Sequence, residues 1–140
     1  MLQFYFLTIL LNTVTGLVLM YVNSEGGDEA EPGGEGGLTA LVKDDTFRLI
    51  LGILSCVTGF FKLLTTIRGD VPVVGDLVPA LAGLAGGFTL LYDFYKTRSS
   101  IDPDQLPRFI QVIVSSKRYV GMACLIAAGL HFLFPTVLFL

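Results

Sequence analysis

The stretch VPVVGDLVPALAGLAGGFTLLYDFY, residues 71–95, joins an apolar length sufficient to cross a bilayer with a run of small residues at its centre. A helix needs about 20 predominantly apolar residues to cross the hydrocarbon layer of a membrane. Three further runs of similar length and character lie at 2–22, 47–67 and 119–140. The sequence therefore predicts an all-α integral membrane protein, with four transmembrane helices in a single domain over residues 1–140.

The composition agrees with this class. Apolar residues make up 53% of the chain and charged residues only 15%, which is the balance of a membrane-spanning chain rather than a soluble domain. No Lys or Arg precedes the first apolar run and no A-x-A-like site follows it. We therefore predict a retained first helix instead of a cleaved signal peptide.

The distribution of cations predicts an orientation. Four spans place the first and third connections on one side, and seven of the nine Lys and Arg residues fall there. By the positive-inside rule these two connections are cytoplasmic and both termini lie outside. The small size of the chain and its lack of targeting extensions favour a bacterial cytoplasmic (inner) membrane.

The first connection, residues 23–45, is acidic and rich in glycine. Its segment 24–37 holds six glycines, five acids and one proline, and such a composition has little to bury. We predict a flexible linker. The alternatives are a docking strip for a basic partner or a weak cation site, although the ligand spacing of an EF-hand is missing.

The third connection contains an amphipathic segment, residues 103–118. Asp102 before Pro103 indicates a helix start there, and Pro107 offers a second start. Apolar and polar residues recur at spacings of three and four, a pattern typical of a helix in the membrane interface. We expect lipid or partner contacts from its cations: Arg108, Lys117 and Arg118. The segment is either an elbow that anchors the bundle or a docking helix for a partner.

Small residues predict how the second and third spans pack. Gly83 and Gly87 form a GxxxG pair in the third span, and Gly52 and Gly59 mark a similar face of the second. Small residues four apart let helix backbones approach closely inside a membrane. Because a short turn joins these spans, we expect them to pack antiparallel.

Charges within the spans predict two ion pairs. Lys62 and Asp76 lie at similar depth on neighbouring antiparallel spans, and Arg48 and Asp93 do so at the other side. A lone charge in the bilayer is costly, so such residues pair or line a watered cavity. The pairs are interpreted either as staples of the hairpin or as part of an ion path.

His131 is the single histidine of the chain and lies within the fourth span. Pro135 follows four residues later and has no N–H for the carbonyl of His131, so a kink and a free acceptor are expected. Asn12 of the first span has a comparable depth, which predicts an Asn12–His131 hydrogen bond. The alternative is a proton relay, since histidine changes charge near neutral pH.

No catalytic signature emerges, and neither a metal or cofactor site nor a nucleic-acid surface is expected. We predict a non-catalytic accessory or scaffolding subunit of a larger membrane complex, contacting other membrane subunits through small-residue helix faces and the elbow. The alternative is a small oligomeric ion or proton channel or transporter that uses Lys62, Asp76 and His131. A channel formed by a homo-oligomer should expose these charges between subunits, whereas a scaffold should bury them within one protomer.

Overall fold

The computed structural model describes residues 2–24, 37–65, 77–99 and 107–133, and the secondary structure of this part of the chain is entirely helical. The predicted all-helical class is confirmed. The helices are α1 (Leu2–Ser24), α2 (Gly37–Lys43), α3 (Asp45–Thr65), α4 (Leu77–Arg98), α5 (Arg108–Ser115) and α6 (Lys117–Leu133).

Two of these helices, α3 and α4, are long and apolar enough to cross a membrane. A third candidate is the pair α5 and α6, if these helices, bent by 76° at the break between them, count as one span. The apolar part of α1 is shorter, Tyr5–Tyr21. By length and composition, two to three of the described helices can span a membrane.

The four long helices form a bundle with alternating directions. Gly16 of α1 lies against Gly121 of α6, and Tyr5 lies against His131, so α1 and α6 are antiparallel. The α3–α4 interface is the most extensive and α1–α6 is the next. Helices α1 and α4 each contact the other three, whereas α3 and α6 contact each other least among the described residues. The cross-section is therefore a rhombus whose short diagonal joins α1 and α4.

Glycines allow the backbones to approach at the two largest interfaces. A Cβ atom added at Gly87 would lie 2.7 Å from the carbonyl oxygen of Gly52 and 2.8 Å from the Sγ of Cys56. A Cβ atom at Gly121 would lie 2.9 Å from the carbonyl oxygen of Gly16. Since real Cβ atoms do not come this close to other heavy atoms, residues with side chains would force these helices apart.

Polarity is distributed in the opposite sense to that of a water-soluble bundle. Each long helix turns large apolar residues outward, with more than half of the side chain exposed at Leu10, Phe60, Leu81 and Leu133. Soluble bundles bury their apolar stripe and expose the polar one. The polar or charged residues buried here are Thr8, Asn12, Thr15, Ser55, Thr58, Lys62, Thr89, Asp93 and His131.

The flexible-linker prediction for residues 23–45 is wrong at both ends of that range. Residues 23 and 24 belong to α1, and α2 occupies Gly37–Lys43. The reason is a change of composition, because Leu41 and Val42 are apolar and pack beside Tyr21 and Phe47 around a cavity of about 330 Å³. The acidic residues 25–35 lie outside the described part, so the proposals of a docking strip and a cation site stay predictions.

The predicted elbow coincides with the bend between α5 and α6. Helix α5 starts at Arg108 with Pro107 in the N-cap position and no side-chain cap, which is the second of the two starts that the sequence offers. It is shorter than the predicted segment 103–118, and Asp102 and Pro103 lie outside the described residues. None of its residues is buried.

Candidate functional site

A column of polar side chains runs through the bundle interior from one end to the other. In α1, Thr8, Asn12 and Thr15 follow at spacings of four and three, so they share one helix face, and all three are buried. Sequence reasoning recognises this face from its spacing. What it does not reveal is which groups on the other helices meet it.

The middle of the column is held by hydrogen bonds between helices. The amide Nδ2 of Asn12 donates to the backbone oxygen of Pro79 at 2.9 Å. The hydroxyls of Thr15 and Ser55 are hydrogen-bonded at 2.8 Å, with either one able to donate. These contacts join α1 to α4 and to α3, and they replace the predicted hydrogen bond between Asn12 and His131.

That prediction failed because the helix register differs from the one estimated from depth alone. The Gly16–Gly121 contact sets the antiparallel register of α1 and α6. Ten residues beyond Gly121, His131 must then lie beside the first turns of α1, and it packs against Tyr5. Asn12 lies about 10 Å further along α1, given the 1.5 Å rise per residue.

The polar column encloses little free space. The gap in its middle has no room for a water molecule. A buried water molecule needs free space at least equal to its own size. The interior is therefore closed to water at this level, where the lining residues are Thr8, Leu11, Asn12, Ser55, Thr58, Gly59, Pro79 and Gly83.

At one end of the column, two basic side chains meet. The Nζ of Lys62 on α3 lies 3.0 Å from the Nε2 of His131 on α6. The two residues are only 6% and 1% exposed. The Tyr5 ring of α1 completes the cluster, with its centroid 4.6 Å from that of the imidazole and 5.8 Å from Nζ. Both distances suit ring stacking and a cation–π contact.

Tyr5 also satisfies the backbone of His131. Its hydroxyl donates to the carbonyl oxygen of His131, the acceptor that Pro135 cannot serve for want of an N–H. The sequence predicted a free acceptor at this position but gave no sign of its donor. Pro135 itself, and with it the predicted kink, lies outside the described residues.

At the other end of the column, Asp93 is buried and pairs with Lys117 rather than with Arg48. The Oδ1 of Asp93 lies 2.6 Å from the Nζ of Lys117. Arg48 instead donates from Nε to the backbone oxygen of Val42 at 2.8 Å, and its Nη1 lies 3.9 Å from Asp45. The predicted Arg48–Asp93 pair is therefore wrong.

The cause is rotation about the helix axis. Asp93 lies seven residues, about two turns, after Gly86, so the two share a face of α4. A Cβ atom at Gly86 would meet Thr15 of α1 and Cys124 of α6. That face is turned away from α3, on which Arg48 lies, and toward α6, which begins with Lys117.

The remaining predicted residues occupy varied positions. Asp76 is outside the described part of the chain, so the Lys62–Asp76 pair stays a prediction. Gly59 lies against α4 and Gly83 against Asn12, both inside the bundle with Gly52 and Gly87. The exposed cations of the elbow are Arg108 and Arg118. Lys117 pairs with Asp93, and its predicted lipid or partner contacts stay a prediction.

Metal chemistry has no counterpart in the described residues. They contain no group of three or more His, Cys, Asp or Glu side chains that could hold a metal ion. Both cysteines are free thiols, and Cys124 donates from Sγ to the backbone oxygen of Ala82 at 3.2 Å. In this part of the chain, the polar side chains of the interior form hydrogen bonds and ion pairs with one another and with the backbone.

These features define an all-helical bundle with an apolar exterior and an interior that buries polar side chains beside apolar ones. The chain belongs to a protein family of unknown function, whose model matches residues 1–131. It is similar to an uncharacterized protein of Treponema pallidum (strain Nichols), with 32% identity over 140 residues that cover the whole of both chains. No solved structure matches it.

Proposed function

We propose that the chain is a four-span integral protein of a bacterial cytoplasmic membrane that acts as a non-catalytic accessory or scaffolding subunit of a larger membrane complex. In this topology both termini face outward, and the end that carries Asp93 and Lys117 faces the cytoplasm. The cations concentrated in the first and third connections support that orientation.

The outward apolar residues on every long helix support insertion in a membrane. Water would leave this surface unfavourably hydrated, whereas lipid tails match it. Helix α1 has 23 residues, a length of about 34 Å that suffices to cross the hydrocarbon layer. It packs antiparallel on α6, and this pair adds two spans to those of α3 and α4.

A scaffolding role rests on one observation: the described charges of the interior find their partners inside one protomer. Lys62 contacts His131 and Asp93 contacts Lys117. A channel built by several copies would need such charges on the surfaces between subunits. The middle of the column is also too narrow for water, which argues against a route through a single bundle.

We place the partner surface elsewhere than on the small-residue helix faces. The glycines Gly52, Gly59, Gly83 and Gly87 face the interior, so they cannot hold another subunit. The elbow helix α5 is the better candidate, because it buries none of its residues. Its Phe109 is 65% exposed, beside the exposed cations described above.

The test is purification of the tagged chain from its native membrane in gentle detergent, followed by native mass spectrometry. We expect larger, unrelated membrane subunits at a fixed ratio. A homo-oligomer without partners, or a monomer alone, would overturn the scaffolding proposal. Resistance of the chain to carbonate extraction of the membrane tests the membrane assignment separately.

A matched pair of variants locates the contact surface. Phe109→Ala on α5 should release the partner while the chain remains folded, because it removes an exposed aromatic anchor of the elbow. Phe132→Ala on α6 removes an equally large side chain of similar exposure, 59%, and should keep the partner. Equal retention by both variants would exclude the elbow as the contact surface.

A further inference from the structure

The strongest chemical constraint in the interior is the approach of two basic groups, Lys62 and His131, to 3.0 Å. An ammonium group only donates hydrogen bonds, and a protonated imidazole likewise has no lone pair to accept one. The contact is therefore a hydrogen bond only when the pair carries at most one positive charge. If both groups were protonated, two like charges would face each other and the hydrogen bond between them would be lost.

We place the single charge on lysine, because an ammonium group has N–H donors and no acceptor. Lys62 then donates to the Nε2 lone pair of a neutral His131, whose ring proton is on Nδ1. The Tyr5 ring supports this arrangement, because its centroid lies 5.8 Å from the lysine nitrogen, within the range of a cation–π contact.

The position of the contact determines how strongly it holds α3 to α6. Helices α3 and α6 occupy the far corners of the rhombus and contact each other least among the described residues. The Lys62–His131 hydrogen bond joins these two corners directly. Its loss would remove a tie that the rest of the α3–α6 packing does little to replace.

We propose that Lys62 and His131 form a proton-binding site that ties α3 to α6 when the imidazole is neutral and releases them when it takes up a second proton. The sign follows from the hydrogen bond: the tie is present at higher pH and is lost as acidification converts His131 to the imidazolium form. This inference stands apart from the accessory role, since it concerns one protomer.

Among the described residues, helices α1 and α4 supply one titratable group that faces the pair. Helix α1 contributes Tyr5, and the described residues of α4 at this level, 77–80, carry no titratable side chain. The connection from α3 to α4 lies outside the described residues and contains Asp70 and Asp76. For that reason an Asp76→Asn variant should be measured alongside the others.

The first measurement is nitrogen-15 magnetic resonance of the histidine ring in the full-length protein in liposomes. Because the chain has one histidine, the ring signals need no further assignment. At about pH 8 we expect a protonated Nδ1 and a bare Nε2. An Nε2-protonated or doubly protonated ring at this pH would overturn the proposal, and this readout requires no variant.

The second measurement reports the distance between α3 and α6. Spin labels at Leu64 of α3 and Leu133 of α6, both exposed, are placed on a chain with its native cysteines replaced by alanine. Their separation should increase between about pH 8 and about pH 5, the range in which histidine changes charge. In Lys62→Met, which lacks the tie at any pH, the separation should not depend on pH.

The matched control is Lys96→Met, which removes an exposed lysine from α4 and should respond to pH as the unaltered chain does. The proposal fails if the unaltered chain shows no change in separation, or if Lys62→Met responds equally. It also fails if Asp76→Asn alone abolishes the response, because the switch would then belong to the carboxylate.

Discussion

Gly87→Ala offers the sharpest test of the packing described for α3 and α4. The added Cβ would lie 2.7 Å from the carbonyl oxygen of Gly52, and 2.8 Å and 2.9 Å from the Sγ and backbone nitrogen of Cys56. Carbon atoms prefer contacts of about 3.5–4.0 Å, so the helices must separate by roughly 0.5–1 Å. Two of the three clashing atoms belong to the backbone, and side-chain rotation cannot relieve them.

The magnitude follows from two opposing effects. Overpacking of a well-packed interior costs about 1–3 kcal/mol, and the backbone clash favours the upper end. The higher helix propensity of alanine offsets about 1 kcal/mol. We expect a net loss of about 2 kcal/mol, which corresponds to a fall in Tm of about 4–8 °C for a chain of this size. The assay is loss of helical circular dichroism on heating in detergent.

Gly129→Ala is the control, because nothing lies within 4 Å of the Cβ position at Gly129. It also replaces glycine by alanine within a helix, so it gains the same helix propensity, but its added Cβ does not clash with a neighbouring helix. Its Tm should be equal to or higher than that of the unaltered chain. If Gly87→Ala melts within about 2 °C of Gly129→Ala, the close approach of α3 and α4 is refuted.

Three other substitutions test the polar column. Lys117→Met should destabilise the fold by about 3 kcal/mol, the lower end for breaking a buried pair, because the lysine is 28% exposed while Asp93 is left buried. Tyr5→Phe should cost about 1 kcal/mol by removing the donor to the carbonyl of His131. Asn12→Ala should cost about 1 kcal/mol through loss of a buried interhelical hydrogen bond. Each is measured by denaturant titration in mixed micelles.

Each of these variants has an exposed counterpart of the same residue type or of similar polarity. Lys96→Met, Tyr119→Phe and Gln3→Ala remove side chains that the structure exposes, and we expect changes in unfolding free energy below about 0.5 kcal/mol. A Lys117 variant as stable as the Lys96 variant would contradict the ion pair. Equal stability within either of the other two pairs would contradict the corresponding hydrogen bond.

The helices themselves were predictable because long apolar runs carry their own signal. The run predicted at 47–67 appears as α3, Asp45–Thr65, and the end predicted at residue 95 appears at Arg98. Helix α2 was not predicted, because the glycines and acids before it dominate the composition of the connection. Its four apolar residues are too few to show a helical period.

The partners in the polar column were less predictable, for a geometric reason. Counting residues from the end of a span gives a depth, but not the direction in which a side chain points or the register between two helices. Asp93 was placed at the correct level, and yet its face of α4 turns toward α6 and not toward Arg48. The Thr15–Ser55 hydrogen bond joins two residue types common on any helix face, so no sequence signal marks it.

The pairing of α1 with α6 has a consequence for biosynthesis. Tyr5 and His131 are 126 positions apart, so α1 leaves the ribosome long before its main partner, α6. Until α6 emerges, the face of α1 that carries Tyr5 and Gly16 stays uncovered, and no earlier helix can supply the Gly121 surface. Such long-range pairing delays folding and prolongs exposure of the incomplete chain to proteases. A chain truncated before α6 keeps this face of α1 uncovered and should be degraded.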